Sequence, residues 1–239
     1  ENIVYETNMF YFKYFFLLHL SYCLKTTTTK QNKYVQLLED RNINLVVAHG
    51  PAGTGKSWLA CKIAIDELKA NHVKKIVLTR PIVSVEDEDL GFLPGNIDEK
   101  MNPWIQPLYD IFIDEKSKSE LNSLLKCGQI EIVPIGFMRG RTFSDTYVIA
   151  DEMQNSSPTQ MKMIMTRMGE NSKIVVTGDT SQCDLKIPEN GLHNFLNLVK
   201  NHYEIKHKMY ENHIGIVEFD IGDVKRSKFV QNILKIYEI

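Results

Sequence analysis

Residues 44–57 read NLVVAHGPAGTGKS. The first part, NLVVAH, is a short apolar run halted by Gly50-Pro51, the pattern of a buried strand. Gly50 to Ser57 then satisfies G-x-x-x-x-G-K-[ST] at every fixed position. Residues 56–70 follow with Leu59, Ile63 and Leu68 at helical spacing, so a strand runs into the loop and a helix runs out. That is the context a phosphate-cradling loop requires. Gly50, Gly53 and Gly55 permit a tight turn that aims backbone N–H groups inward. The helix start adds partial positive charge at the same point. Pro51, Ala52 and Thr54 complete the loop. Lys56 is placed to reach β- and γ-phosphates, and the Ser57 hydroxyl to ligate Mg2+.

The same alternation continues along the chain. Strands are expected at 75–79 (KIVLT), 129–133 (QIEIV), 146–150 (TYVIA), 173–177 (KIVVT) and 214–219 (IGIVEF). Helices are expected at 31–40, 119–126, 189–200 and 228–237. Another should run from Pro158 to Met168, capped by Ser157. Strands that are continuous apolar runs between helices predict an α/β fold with a mostly parallel sheet covered on both faces. The polar run at 26–29 reads as a linker. It divides an N-terminal extension, 1–30, expected to be poorly ordered or peripheral, from one domain at 31–239.

Two further strand ends carry chemistry. YVIADE (147–152) closes an apolar strand with adjacent carboxylates. Asp151 is the candidate metal ligand, and Glu152 the candidate base for water attacking a γ-phosphate. KIVVTGDTSQCDL (173–185) puts Gly178-Asp179 and then Gln182 at another strand tip, the edge where open α/β sheets bind ligands. Gln182 is the candidate γ-phosphate sensor or water-orienting residue. FMRGRT (137–142) carries Arg139 and Arg141 around Gly140, with no acidic neighbour until Asp145. Both are expected to project from the carboxyl edge of the sheet toward a phosphate-bearing partner rather than form an internal salt bridge. That partner is a neighbouring subunit's nucleotide or an RNA backbone.

Composition limits the alternatives. Lys plus Arg total 28 and Asp plus Glu total 30, so the net charge of −2 excludes a wholly basic nucleic-acid coat and leaves only local patches. Hydrophobic residues at 43% and charged residues at 24% fit a globular chain. Cys23, Cys61, Cys127 and Cys183 form no C-x-x-C pair, which argues against a zinc knot or a redox dithiol. A reducing, cytoplasmic setting is expected. The aromatic stretch at 9–24 is interrupted by Lys13 and His19, and its apolar part is shorter than the ~17–25 residues of a membrane span, so no stable membrane association is expected.

Taken together, GPAGTGKS, KIVLTRP, LGFLPG (90–95), PLYD, MRGRTFSD, DEMQN, QMKMIMTRMG, SKIVVTGDTSQCDL and DVKR (223–226) resemble the PhoH-like family, from about residue 31 to residue 238. The resemblance implies a RecA-like P-loop NTPase core related to superfamily-one helicases, with ATP and Mg2+ as cofactors. Stand-alone versions occur in phages. Some relatives carry a PIN nuclease domain and act on RNA; with only about thirty residues ahead of the core, none is expected here. Gln31 stands where related helicases place an adenine-reading glutamine, and Arg226 of DVKR joins the ATP-binding set. Departures from the family pattern are Met153, Ser57 and Ser227, where alanine, threonine and histidine are usual, and the more acidic loop at Asp87 and Asp89. The expected function is Mg2+-dependent ATP hydrolysis by a homo-oligomer, coupled to RNA or another single-stranded nucleic acid. A non-hydrolysing nucleotide-binding regulator and a ring-forming RNA helicase-like motor remain alternatives.

Overall fold

The apolar runs pair side by side, all parallel. The computed structural model describes residues 26–81, 109–110, 118–182, 190–203, 209, 211–225 and 236. Within them the strands are β1 (Leu45–His49), β2 (Lys75–Thr79), β3 (Ile130–Ile132), β4 (Thr146–Ala150), β5 (Lys173–Gly178) and β6 (Ile214–Glu218). They form one sheet in the order β3-β2-β4-β5-β1-β6. The helices are α1 (Thr29–Glu39), α2 (Lys56–Lys69), α3 (Lys118–Lys126), α4 (Pro158–Met165) and α5 (Gly191–His202).

Successive strand residues point to opposite faces, so a continuous apolar run feeds two cores. Val46 and Ala48 of β1 and Tyr147 and Ile149 of β4 pack with Tyr34 and Leu38 of α1 and Leu59 and Ile63 of α2. Their neighbours Val47, Val148 and Ala150 face the other way, against Met161 and Ile164 of α4 and Leu192 of α5. Each fully buried aliphatic side chain of this kind contributes about 1.5–3 kcal/mol. The result is the RecA-like P-loop architecture that the residue pattern and the resemblance implied. Its main consequence for function is that β5 lies between β1 and β4. The loops ending these three strands therefore stand next to one another on the carboxyl edge.

Local differences have local causes. The threonine run is not only a linker: α1 already starts at Thr29, because the Thr28 hydroxyl accepts the N–H of Gln31 at 3.2 Å and caps it. Ser157 and Gln160 close a reciprocal capping box with Pro158 at the first position of α4. That helix stops at Met165, short of the expected Met168, because Phe143 N–H takes the carbonyl of Arg167 at 2.9 Å and Gly169 N–H returns to Phe143 O at 2.7 Å. The end of α1 is held by Lys173, whose buried ammonium donates to the carbonyls of Leu37, Leu38 and Asp40 at 3.0, 2.6 and 2.8 Å. Burial brings the Lys173 pKa down to about 8. Short 3-10 turns η1 (Ile135–Met138), η2 (Met153–Asn155) and η3 (Ile221–Asp223) were not anticipated. The N-terminal extension up to residue 25 and the helix expected at 228–237, apart from Ile236, lie outside the described residues.

Candidate functional site

The loop after β1 turns through positive φ at Gly50 (128°), Gly53 (82°) and Gly55 (86°). At Gly50 a side chain is excluded twice over, by that φ and by the backbone oxygen of Phe219, which occupies the place of a Cβ. The loop is braced from outside. Phe219 N–H donates to His49 O at 2.8 Å, and Lys225 N–H to Gly53 O at 2.9 Å. From behind, Gln31 Nε2 donates to Thr54 O at 3.0 Å.

Lys56 curls over the loop, donating to Gly50 O at 2.6 Å and Pro51 O at 2.8 Å. Burial pushes its pKa below the ordinary lysine value, while Asp179, Glu152 and Asp151 pull the other way. The next residue, Ser57, donates its hydroxyl to Asp151 Oδ1 at 2.7 Å. Thr177, near the end of β5, donates to the same oxygen. A hydroxyl and a buried carboxylate side by side beneath a phosphate loop suit Mg2+, which takes few protein oxygens and completes its shell with phosphate and water.

Glu152 has a left-handed backbone (φ 54°, ψ 40°), rare for a residue with a side chain and concentrated at functional sites. Its Oε2 accepts from Gln154 Nε2 at 2.6 Å, and its Oε1 lies 3.6 Å from the Arg80 guanidinium at the end of β2. Lys56, Ser57, Trp58, Asp151, Glu152 and Gln182 all border one open cleft of about 260 Å³. The loop, the acidic pair and the third strand tip, picked out separately in the sequence, thus share one cleft.

Arg141, Arg139 and Gln31 do not border it. Arg141 requires a correction. It makes a two-pronged ion pair with Glu131 of β3, at 2.7 and 2.9 Å, and its guanidinium lies 4.9 Å from the centre of the Phe143 ring. Glu131 also binds Lys75, the first residue of β2, so this cation is spent on the outer edge of the sheet, away from the carboxyl ends of the strands. The expectation of no acidic neighbour looked forward along the chain; the partner lies ten residues back, on the preceding strand β3. Arg139 is exposed just past η1 and does not border the cleft. Arg226 lies outside the described residues. Gln31 is present at the loop, but its amide is used within the protein: Oε1 accepts from Thr27 N and Thr27 Oγ1 at 2.9 and 3.1 Å.

The sequence pattern does not mark Thr177, Gln154 or Trp58 as site residues: Thr177 reads as the end of a core strand, and Gln154 is legible only as part of DEMQN. Arg80, legible as a guanidinium at the end of the KIVLT strand, lies beside Glu152.

The family model described as PhoH-like protein matches residues 23–238. The chain belongs to the PhoH-like family. It is 43% identical over 217 residues to a PhoH-like protein of Bacillus subtilis (strain 168), covering 90% of this chain and 64% of that one. Against Protein PhoH of Escherichia coli (strain K12) the identity is 39% over 209 residues, covering 87% of this chain and 56% of the other. This PhoH-like chain therefore spans about three-fifths of the length of these relatives. Among solved structures, the Pif1 helicase from Candida albicans aligns with 90% of this chain and 44% of its own, at a TM-score of 0.42 and 14% identity. The Sulfolobus solfataricus SWI2/SNF2 ATPase core, solved in complex with dsDNA, aligns with 82% of this chain and 46% of its own, at a TM-score of 0.43 and 14% identity.

Proposed function

We propose that this PhoH-like chain is a Mg2+-dependent ATPase. The observation that carries the reading is the 2.7 Å contact of Ser57 with Asp151 in the cleft that Lys56 and Glu152 also border. Backbone N–H groups of residues 50–57 and the Lys56 ammonium bind the phosphates, Lys56 exchanging its loop carbonyls for phosphate oxygens. Ser57 and Asp151 would hold Mg2+, which when bound neutralises charge on the β- and γ-oxygens. Glu152 takes a proton from the water that attacks the γ-phosphorus, and ADP leaves. Gln182 borders the same cleft and orients that water. Hydrolysis is favoured over a regulator that only binds nucleotide because the second carboxylate borders this cleft.

Binding of ATP by calorimetry in the presence of Mg2+ tests the site. Lys56→Ala should lose affinity about 100-fold or more, as expected when the lysine of a phosphate loop is removed. Asp151→Asn should bind ATP but respond to Mg2+ only at raised concentration. Unchanged affinity in a folded Lys56→Ala would reject the reading.

Coupling to single-stranded RNA is a second reading, supported by Phe137, whose side chain is 63% exposed on η1, and by exposed Arg139 just beyond it. An aromatic platform with a nearby guanidinium is the chemistry that stacks and neutralises single strands. Arg139, exposed and outside the cleft, is the arginine we assign to a neighbouring subunit in a homo-oligomer.

A further inference from the structure

Gln154 is 2% exposed and lies two residues past the catalytic base, and the roles assigned above make no use of it. Its amide is bonded at both ends. Nε2 donates to Glu152 Oε2 at 2.6 Å, and Oε1 accepts the backbone N–H of Asp179 at 3.1 Å. The chemistry fixes this orientation, because a backbone N–H only donates and a carboxylate only accepts. Asp179 opens the turn that carries Gln182: its Oδ1 accepts from Ser181 N and Ser181 Oγ at 3.0 and 2.6 Å, and its carbonyl accepts from Gln182 N at 3.2 Å. Next to it, a Cβ on Gly178 would stand 2.6 Å from Gln154 Oε1, so the amide fills the space that glycine leaves.

The other oxygen of Glu152 faces Arg80 at 3.6 Å. The carboxylate is thus held between Gln154 and Arg80 on a left-handed backbone, and it can swing only if one of these contacts yields. We infer that Gln154 is a positioning residue that ties the Glu152 carboxylate to the Asp179–Gln182 turn, so that phosphate contact at the turn and orientation of the base move together. The buried amide touches both. This rests on the ATPase reading of the same cleft.

Two variants test it. Gln154→Met keeps the volume and loses both hydrogen bonds. Gln154→Glu keeps the acceptor for Asp179 and places a carboxylate against Glu152. For both, kcat for MgATP should fall about ten- to a hundred-fold, the scale of a misplaced catalytic group. KM and the ATP Kd should stay within about three-fold, because the phosphate loop is untouched. Gln154→Glu should be the slower of the two, since the like charge turns Glu152 away. A merely structural role would move Kd and the melting midpoint together with kcat. If Gln154→Met does not fold, Gln154→Asn, an amide too short to span both partners, should give the same split. A folded Gln154→Met or Gln154→Asn with kcat within two-fold of the parent would overturn the inference and leave the ATPase reading standing. A parent chain no faster than Glu152→Gln would overturn both.

Discussion

Gln31 shows how one side chain can answer to two readings. The resemblance assigns it to adenine; the contacts assign it to the back of the phosphate loop, through Thr54 O, with its carbonyl end satisfied by Thr27. A brace acts on any nucleotide, whereas a base reader acts on one. Gln31→Ala should therefore weaken ATP and GTP by the same factor, about five-fold for one lost hydrogen bond of ~1 kcal/mol. Competition binding with both nucleotides checks this, and a loss confined to ATP would restore base reading. At this scale the sequence was informative wherever function is set by neighbours in the chain. Lys56, Ser57, Asp151 and Glu152 follow from local motifs whose strand and helix context is visible in the letters. Thr177 and Arg80 matter because packing brings them to Asp151 and Glu152 from other strands, and Gln154 because packing brings it to Asp179; no local pattern marks those meetings.

Elements were legible for the same reason and failed at the same boundary. The strand KIVLT forms over the expected residues because each of its faces meets a core. The end of α4 was misplaced because a long-range partner, Phe143, takes the N–H of Gly169 that a longer helix would have used. The η1 segment and the edge strand β3 divide two arginines that looked equivalent. Arg141 is locked to Glu131, while Arg139 and Phe137 face solvent. If single-stranded RNA raises turnover through this turn, Phe137→Ala and Arg139→Ala should lower the stimulation about ten-fold, a stacking or cation contact being worth ~1–3 kcal/mol. Arg141→Ala should keep it and lower unfolding free energy by no more than about 1 kcal/mol, since the pair is partly exposed and screened. ATP turnover with and without RNA at low salt, beside denaturant unfolding, decides the assignment. Loss of stimulation in Arg141→Ala alone would reverse it.

For the molecule as a whole, the apolar runs between helices specified a parallel α/β sheet but not its strand order, because parallel pairing joins segments far apart in the chain. That order is what makes the site. With β5 between β1 and β4, Gly50 N–H bonds to Gly178 O at 3.1 Å and Asp151 N–H to Thr79 O at 3.0 Å, so the loops after four strands are tied into one edge. None of the helices among the described residues is long and apolar enough to cross a membrane. On the proposed mechanism this edge hydrolyses ATP with Glu152 as base. Phosphate release from ATP should be followed for the parent chain and Glu152→Gln, with Mg2+ and with a chelator, at matched and measured nucleotide occupancy. Turnover is expected in the parent and should stop with the chelator, and Glu152→Gln should bind ATP within a few-fold of the parent while releasing phosphate at least about 100-fold more slowly, the scale of a lost general base. Equal phosphate release by both proteins at equal occupancy would contradict it.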